Sequence, residues 1–197
     1  MRPEEILKLI ETRRSIRQFK QKSIDREIVE KCVSAARLAP SARNLQPLEF
    51  AYIDDKKLVK KIFPMLKWAG YINPEGNPEK GREPVSYLAV LVNKEIYDKN
   101  FPYDAGAAIE NFILSLWAYE IGTCWLLSVD RTKLRKLIDI SDKYKIDSVI
   151  AIGYPDEKPV TVDAEQNDIK YWKDENNRLH VPKRKMKRVF HLNTIEE

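Results

Sequence analysis

A single domain in which helices pack on buried strands is the fold class this sequence predicts, on three observations. The chain has 197 residues and a hydrophobic fraction of 43%, enough for one sizeable core or at most two small ones. A continuous apolar run over residues 86–93, bounded by turns, has the character of a strand buried on both faces. Elsewhere apolar residues recur at helical spacing between Asp and Pro or Gly punctuation.

The totals also exclude several classes. The net charge of +5 arises from 35 basic and 30 acidic residues, so opposite charges are interleaved and a nucleic-acid surface is weakly supported. The longest apolar runs, 86–92 and 112–118, are too short to span a bilayer, and residues 1–5 lack the apolar core of a signal peptide. A cytoplasmic protein is the expectation. Cys32 and Cys124 show neither CxxC spacing nor a neighbouring His cluster, which predicts two buried small hydrophobes rather than a disulfide or a zinc site.

Taken in order, Pro3 suits the first turn of a helix, and Ile6, Leu7 and Ile10 follow at helical spacing. That helix delivers Arg13-Arg14-Ser15-Ile16-Arg17. If this stretch is extended, Arg13, Ser15 and Arg17 share one face while Arg14 and Ile16 take the other. Guanidinium forks and a hydroxyl suit phosphate oxygens and the edge of an electron-rich ring; read alone, the cluster equally fits a cationic helix end facing its own dipole. Asp25 caps a second helix with Ile28, Val29, Cys32, Val33 and Ala36 on one face, ended by Pro40.

The 40–47 loop, Pro40-Ser41-Ala42-Arg43-Asn44-Leu45-Gln46-Pro47, offers several hydrogen-bonding side chains between two prolines. Residues 48–53 read as a strand and 56–63 as an amphipathic helix. From 68 to 84 Pro and Gly recur without a period, around the exposed-looking Trp68 and Tyr71; such a segment is a lid or a plain surface loop. Asp104 is expected to cap an apolar helix running to Gly122, packed against a neighbour or a second subunit. A strand over 123–129, a short helix capped by Asp130, and a buried strand over 149–153 complete a core that ends at Pro155. Residues 156–197 are polar but aromatic-punctuated, which predicts an arm lying across another surface, such as a partner subunit. The run Lys183-Arg184-Lys185-Met186-Lys187-Arg188 repels itself unless an anion lies near.

Four segments in this order resemble the nitroreductase family of FMN-dependent oxidoreductases: Arg13-Arg14-Ser15-Ile16-Arg17, the loop from Ala39 to Pro47, Asp104-Ala105-Gly106 running to Gly122-Thr123-Cys124-Trp125, and Ile152-Gly153-Tyr154-Pro155. The resemblance covers nearly the whole chain, as one domain with a 1–155 core and a 156–197 arm. It implies an α+β fold with a mixed central β-sheet flanked by helices, and a homodimer whose C-terminal arms are exchanged, with FMN at the interface. By position, Arg13 and either Lys183 or Arg184 should hold the phosphate, supported by Arg14 and Ser15, while Arg17 approaches the N1/O2 edge of the ring. Pro40, Ser41, Ala42 and Asn44 of the second subunit should close the site, and backbone at Leu127 and Ser128 should lie beside flavin N5. Many relatives have a Gly-small pair where this chain has Leu127 and Ser128. No GxGxxG follows a predicted strand, which favours FMN over a dinucleotide.

The family likeness implies hydride transfer from NADH or NADPH through flavin N5 to a small planar acceptor such as a nitroaromatic or quinone, with ping-pong kinetics. No side chain then needs to be catalytic, since the cofactor carries the chemistry, and His180 and His191 are expected to be structural or exposed. Phe101, Tyr103, Trp68 and Tyr71 are candidates to stack on a planar substrate. Two rival readings are an FMN-binding protein without turnover and a nucleic-acid binder using the 183–188 run.

Overall fold

The structure is a computed structural model that describes residues 2–165 and 168–195. Helix α1 (Pro3–Thr12) leads into the arginine stretch and the short strand β1 (Phe19–Lys20), followed by α2 (Arg26–Ala36), β2 (Leu48–Ile53), α3 (Lys56–Ile62) and β3 (Ser86–Asn93). Then come α4 (Phe101–Ala118), β4 (Gly122–Leu126), α5 (Arg131–Leu137) and β5 (Tyr144–Pro155), and finally β6 (Val160–Asp163), β7 (Trp172–Lys173) and β8 (Leu179–Lys183).

The central sheet has five strands in the order β1-β5-β3-β2, with β4 also on β5. Its strand pairs are antiparallel. The parallel contribution is an isolated bridge, Ser15 to Thr123, through which the arginine stretch docks beside β4. The long β5 therefore carries β3 on one edge and β4 then β1 on the other.

As the apolar run required, β3 is buried along its whole length. Tyr87, Ala89 and Leu91 face a layer containing Val59 and Ile62 of α3 and Leu134 of α5. Leu88 and Val90 face Val29 and Cys32 of α2 and Ile109, Phe112 and Leu116 of α4. A register shift between Val90 and Leu91, opposite Asp147, lets Ile146 and Val149 stay on one face of β5 although three positions apart. Polar Lys145, Asp147 and Ser148 mask this half of the strand in sequence, which is why periodicity finds only 149–153.

Other boundaries move for local reasons. The central helix begins at Phe101, with Pro102 in its first turn, a position that suits a ring-fixed φ and a missing N–H. Asp104 thus lies inside the helix, is 5% exposed, and is not its cap. Asp25 and Asp130 do accept the expected backbone N–H groups of α2 and α5, and Asp55 caps α3 in the same way. Strand β4 stops at Leu126 rather than 129, because the next residues leave the sheet to bond the 65–67 segment: Lys67 N–H donates to the Ser128 carbonyl at 3.1 Å and Asp130 N–H to the Met65 carbonyl at 2.8 Å.

Trp68 is 5% exposed, packed against Phe63 with ring centroids 5.8 Å apart, whereas Tyr71 is 58% exposed. Cys32 and Cys124 are buried free thiols. Among the described residues no helix is long and apolar enough to cross a membrane. Past Pro155 the chain folds a second small sheet, β6-β8-β7, with β6 and β8 parallel. His180 stacks on Trp172 and hydrogen-bonds Asp174 at 2.8 Å, a structural role. Residues 184–195 then run exposed, with Met186, Phe190 and Leu192 all at least 60% accessible.

Candidate functional site

The arginine stretch is extended, beginning with Arg13 at φ −62° and ψ 132°, and its side chains alternate as the period of two demands. Ile16 is buried, and Ile16 N–H donates to the Thr123 carbonyl at 2.8 Å, which fixes the segment to β4. Arg14 and Ile16 both line a cleft of about 910 Å³ beside α1 and the end of α4. Arg13 and Arg17 face the other way, close enough to Cys124 that their positive fields oppose the upward push of burial on its thiol.

The three arginines are differently engaged. Arg14 bonds the carbonyls of Arg13 and Glu11 at the end of α1 and the Thr161 hydroxyl at 2.9 Å. Burial, and then the nearby Arg13, hold its guanidinium below the ordinary value. Arg13 makes a loose ion pair with Glu110 at 3.8 Å. Arg17 has its backbone N–H bonded to the Glu157 carboxylate and its guanidinium carbon 5.4 Å from the centre of the Tyr171 ring. Its Nε is buried and has no hydrogen-bond partner among the described residues. A buried donor left unpaired costs about 1–3 kcal/mol, more if charged, so this nitrogen fits an incoming anionic or carbonyl group.

Strand β8 brings basic residues to the same neighbourhood. Thr161, which Arg14 contacts, is in register with Val181, two residues and therefore about 7 Å from Lys183. Lys183 and Arg184 are exposed, and Arg184 donates to the Arg188 carbonyl at 2.7 Å. Leu127 and Ser128 are exposed at the C-terminal end of β4.

The 40–47 loop is built around Asp104. Its carboxylate accepts the Ser41 hydroxyl at 2.6 Å and the Ala42 N–H at 3.1 Å, and Ser41 Oγ accepts Gln46 N–H at 3.0 Å. Arg43, Asn44 and Gln46 adopt positive φ, and Pro40 and Ser41 line a separate small cavity of about 130 Å³. Asp104 and Glu110 are six residues apart on α4, so the loop and Arg13 are offset by about 9 Å along the helix and about a third of a turn round it. No hydrogen bond or ion pair among the described residues joins the two groups. The structure thus holds Arg13 and Arg17 on one face of the stretch, ties Arg14 on the other face to β6 beside β8, and leaves Pro40, Ser41, Ala42 and Asn44 on another side.

Sequence reasoning missed Glu157, Tyr171 and the loop-fixing role of Asp104. Position in a first helical turn could have drawn attention to Asp104. Nothing local marks Tyr171, whose partner lies 154 positions away.

The nitroreductase family profile matches residues 10–154. A protein of Archaeoglobus fulgidus, provisionally named NADH dehydrogenase/NAD(P)H nitroreductase, is 34% identical over 79% of this chain and 88% of its own length. Among solved structures, an FMN-dependent nitroreductase from Clostridium difficile superposes with a TM-score of 0.70 at 23% identity, covering 96% of this chain and 99% of its own. A nitroreductase-like protein from Desulfovibrio desulfuricans, solved in complex with FMN, superposes with a TM-score of 0.69 at 22% identity, covering 84% and 94%. With a profile match over most of its length and a relative sharing a third of its residues, this chain belongs to the nitroreductase family.

Proposed function

We propose that the protein is an FMN-dependent oxidoreductase that draws reducing equivalents from NADH or NADPH and passes them to a small planar acceptor such as a nitroaromatic or quinone. The observation that carries this is Arg17: a buried guanidinium nitrogen without a partner among the described residues, on the same face as Arg13. A flavin mononucleotide matches that donor set, having a phosphate for the cations and a carbonyl-rich ring edge for Arg17.

In this reading Arg13 with Lys183 or Arg184 grips the phosphate and Ser15 adds a hydroxyl. Arg14 acts from behind, by fixing the Arg13 carbonyl and Thr161. FMN, when bound, would supply the redox chemistry between the nicotinamide and the acceptor. Arg17 would hold a fixed positive charge against the ring edge, the arrangement that favours the anionic reduced form without reorganisation. Leu127 and Ser128, exposed at the end of β4, would contribute backbone groups to the ring's binding site.

The offset between Arg13 and Ser41 supports a site completed by a second copy, with Pro40, Ser41, Ala42 and Asn44 coming from the partner. So do the unburied face of α1 and the exposed apolar residues of the 184–195 segment, the core of the proposed exchanged arm.

Purified protein is expected to be yellow, to release FMN on denaturation, and to oxidise NADH or NADPH with menadione or a nitrofuran as acceptor. Initial rates at varied nicotinamide and acceptor should give parallel double-reciprocal lines. Colourless folded protein that takes up no added FMN overturns the proposal; a yellow protein that oxidises neither nicotinamide leaves only the binding part standing.

A further inference from the structure

Arg17 is held from two sides by one later segment of the chain. Glu157 Oε1 accepts its backbone N–H and also that of Gln18, at 3.2 Å. Tyr171 lies against its guanidinium. Tyr171 is itself braced, with its ring 4.9 Å from that of Tyr71 and its hydroxyl accepting Tyr71 N–H at 3.4 Å. Two positions on, Lys173 Nζ donates to the Glu75 carbonyl at 2.8 Å.

Tyr71 and Glu75 belong to the 68–82 loop, whose far end is stitched back to the arginine segment. Gln18 Nε2 donates to the Asn77 carbonyl and Gln18 Oε1 accepts Glu79 N–H, each at 3.0 Å. Gln18 is 3% exposed. Arg17, Tyr171 and the 68–82 loop therefore close into one ring of contacts.

The chemistry of the contact matters. A carboxylate beneath Arg17 would also restrict its rotamers, but would neutralise its charge and occupy its donors. An aromatic face restricts them while leaving the N–H edge free and the charge uncompensated. The Glu157 carboxylate is turned instead to backbone N–H groups, and among the described residues it forms no ion pair with the guanidinium.

We infer that Tyr171 is a positioning residue for Arg17, setting the guanidinium against FMN by stacking while preserving its full charge and its free donor. This rests on the reading above that Arg17 faces the flavin.

The test is the two-electron midpoint potential of the FMN-loaded protein and its FMN dissociation constant, measured for Tyr171→Phe, Tyr171→Leu and Arg17→Gln. Tyr171→Met replaces the leucine variant should that not fold. Tyr171→Phe should match the parent in both. Tyr171→Leu should weaken FMN binding about tenfold, the scale of a contact shielded from water. It should also weaken discrimination for the reduced form about tenfold, a fall of about 30 mV for a two-electron couple. A leucine variant with a lower melting temperature but an unchanged potential overturns the inference, as does a phenylalanine variant as impaired as leucine. If Arg17→Gln lowers the potential and Tyr171→Leu does not, the positioning role fails and the reading of Arg17 survives. If Arg17→Gln moves neither quantity, that reading fails and takes the inference with it.

Discussion

A Cβ on Gly122 would stand 2.7 Å from Ile16 Cγ1, and one on Gly153 2.7 Å from Phe19 Cδ1. Both neighbours are buried and flank the arginines, so neither can yield cheaply. Gly122→Ala should cost about 1–3 kcal/mol by overpacking, seen in urea denaturation, and should weaken FMN uptake because Ile16 carries Arg17 with it. Asp104→Ala strands the Ser41 hydroxyl and the Ala42 N–H; a loss of about 2–3 kcal/mol is expected by the same measurement. Burial raises the Cys32 thiol to about 11, so it stays protonated in the fold while the unfolded thiol ionises from about pH 8.5 upward. The native state therefore binds more protons over that window, and stability should fall as pH rises towards 11. Cys32→Ala should flatten this part of the pH profile of the unfolding free energy. At this scale the alternation of Arg13, Ser15 and Arg17 was legible, because a period of two is local. Glu157 and Tyr171 were not, because they reach Arg17 across 140 and 154 positions.

Elements were legible where their signals were local too. Asp25, Asp55 and Asp130 mark three helix starts through a side chain and the N–H groups two or three residues on. Asp104 misled because Pro102 had already opened the helix. Trp68 looked exposed because its loop lacks a period; its burial comes from Phe63 in the preceding turn. Helix α1 has a clear apolar stripe, yet Ile6, Leu7 and Ile10 are 43%, 56% and 47% exposed and none of its residues is buried. Such a stripe calls for a second surface. Sedimentation should find the parent protein dimeric, and Ile6→Lys with Ile10→Lys should shift it to monomer with a parallel loss of bound FMN.

For the molecule as a whole, the sheet and both of its helical layers could be anticipated from buried runs and family likeness. The small β6-β8-β7 sheet could not, since its strands are two to five residues long and its parallel pair is joined through an excursion of fifteen residues. The 184–195 segment, with Phe190 and Leu192 at 60% and 74% exposure, is expected to be ordered by a partner. A chain ending at Lys183 should remain folded, sediment as a monomer, and retain FMN poorly in gel filtration.

Strand β5 has one more implication. It sets Leu126 opposite Val149 and Phe19 opposite Pro155, so the outer end of β4 and the strand that follows the arginine stretch are separated by a fixed count of six residues, about 20 Å. That span can change only in whole-residue steps, each of which turns the core side of the strand outward. Adaptation to acceptors of new size is thereby confined to the 68–82 and 40–47 loops, where length and composition vary without disturbing the ruler.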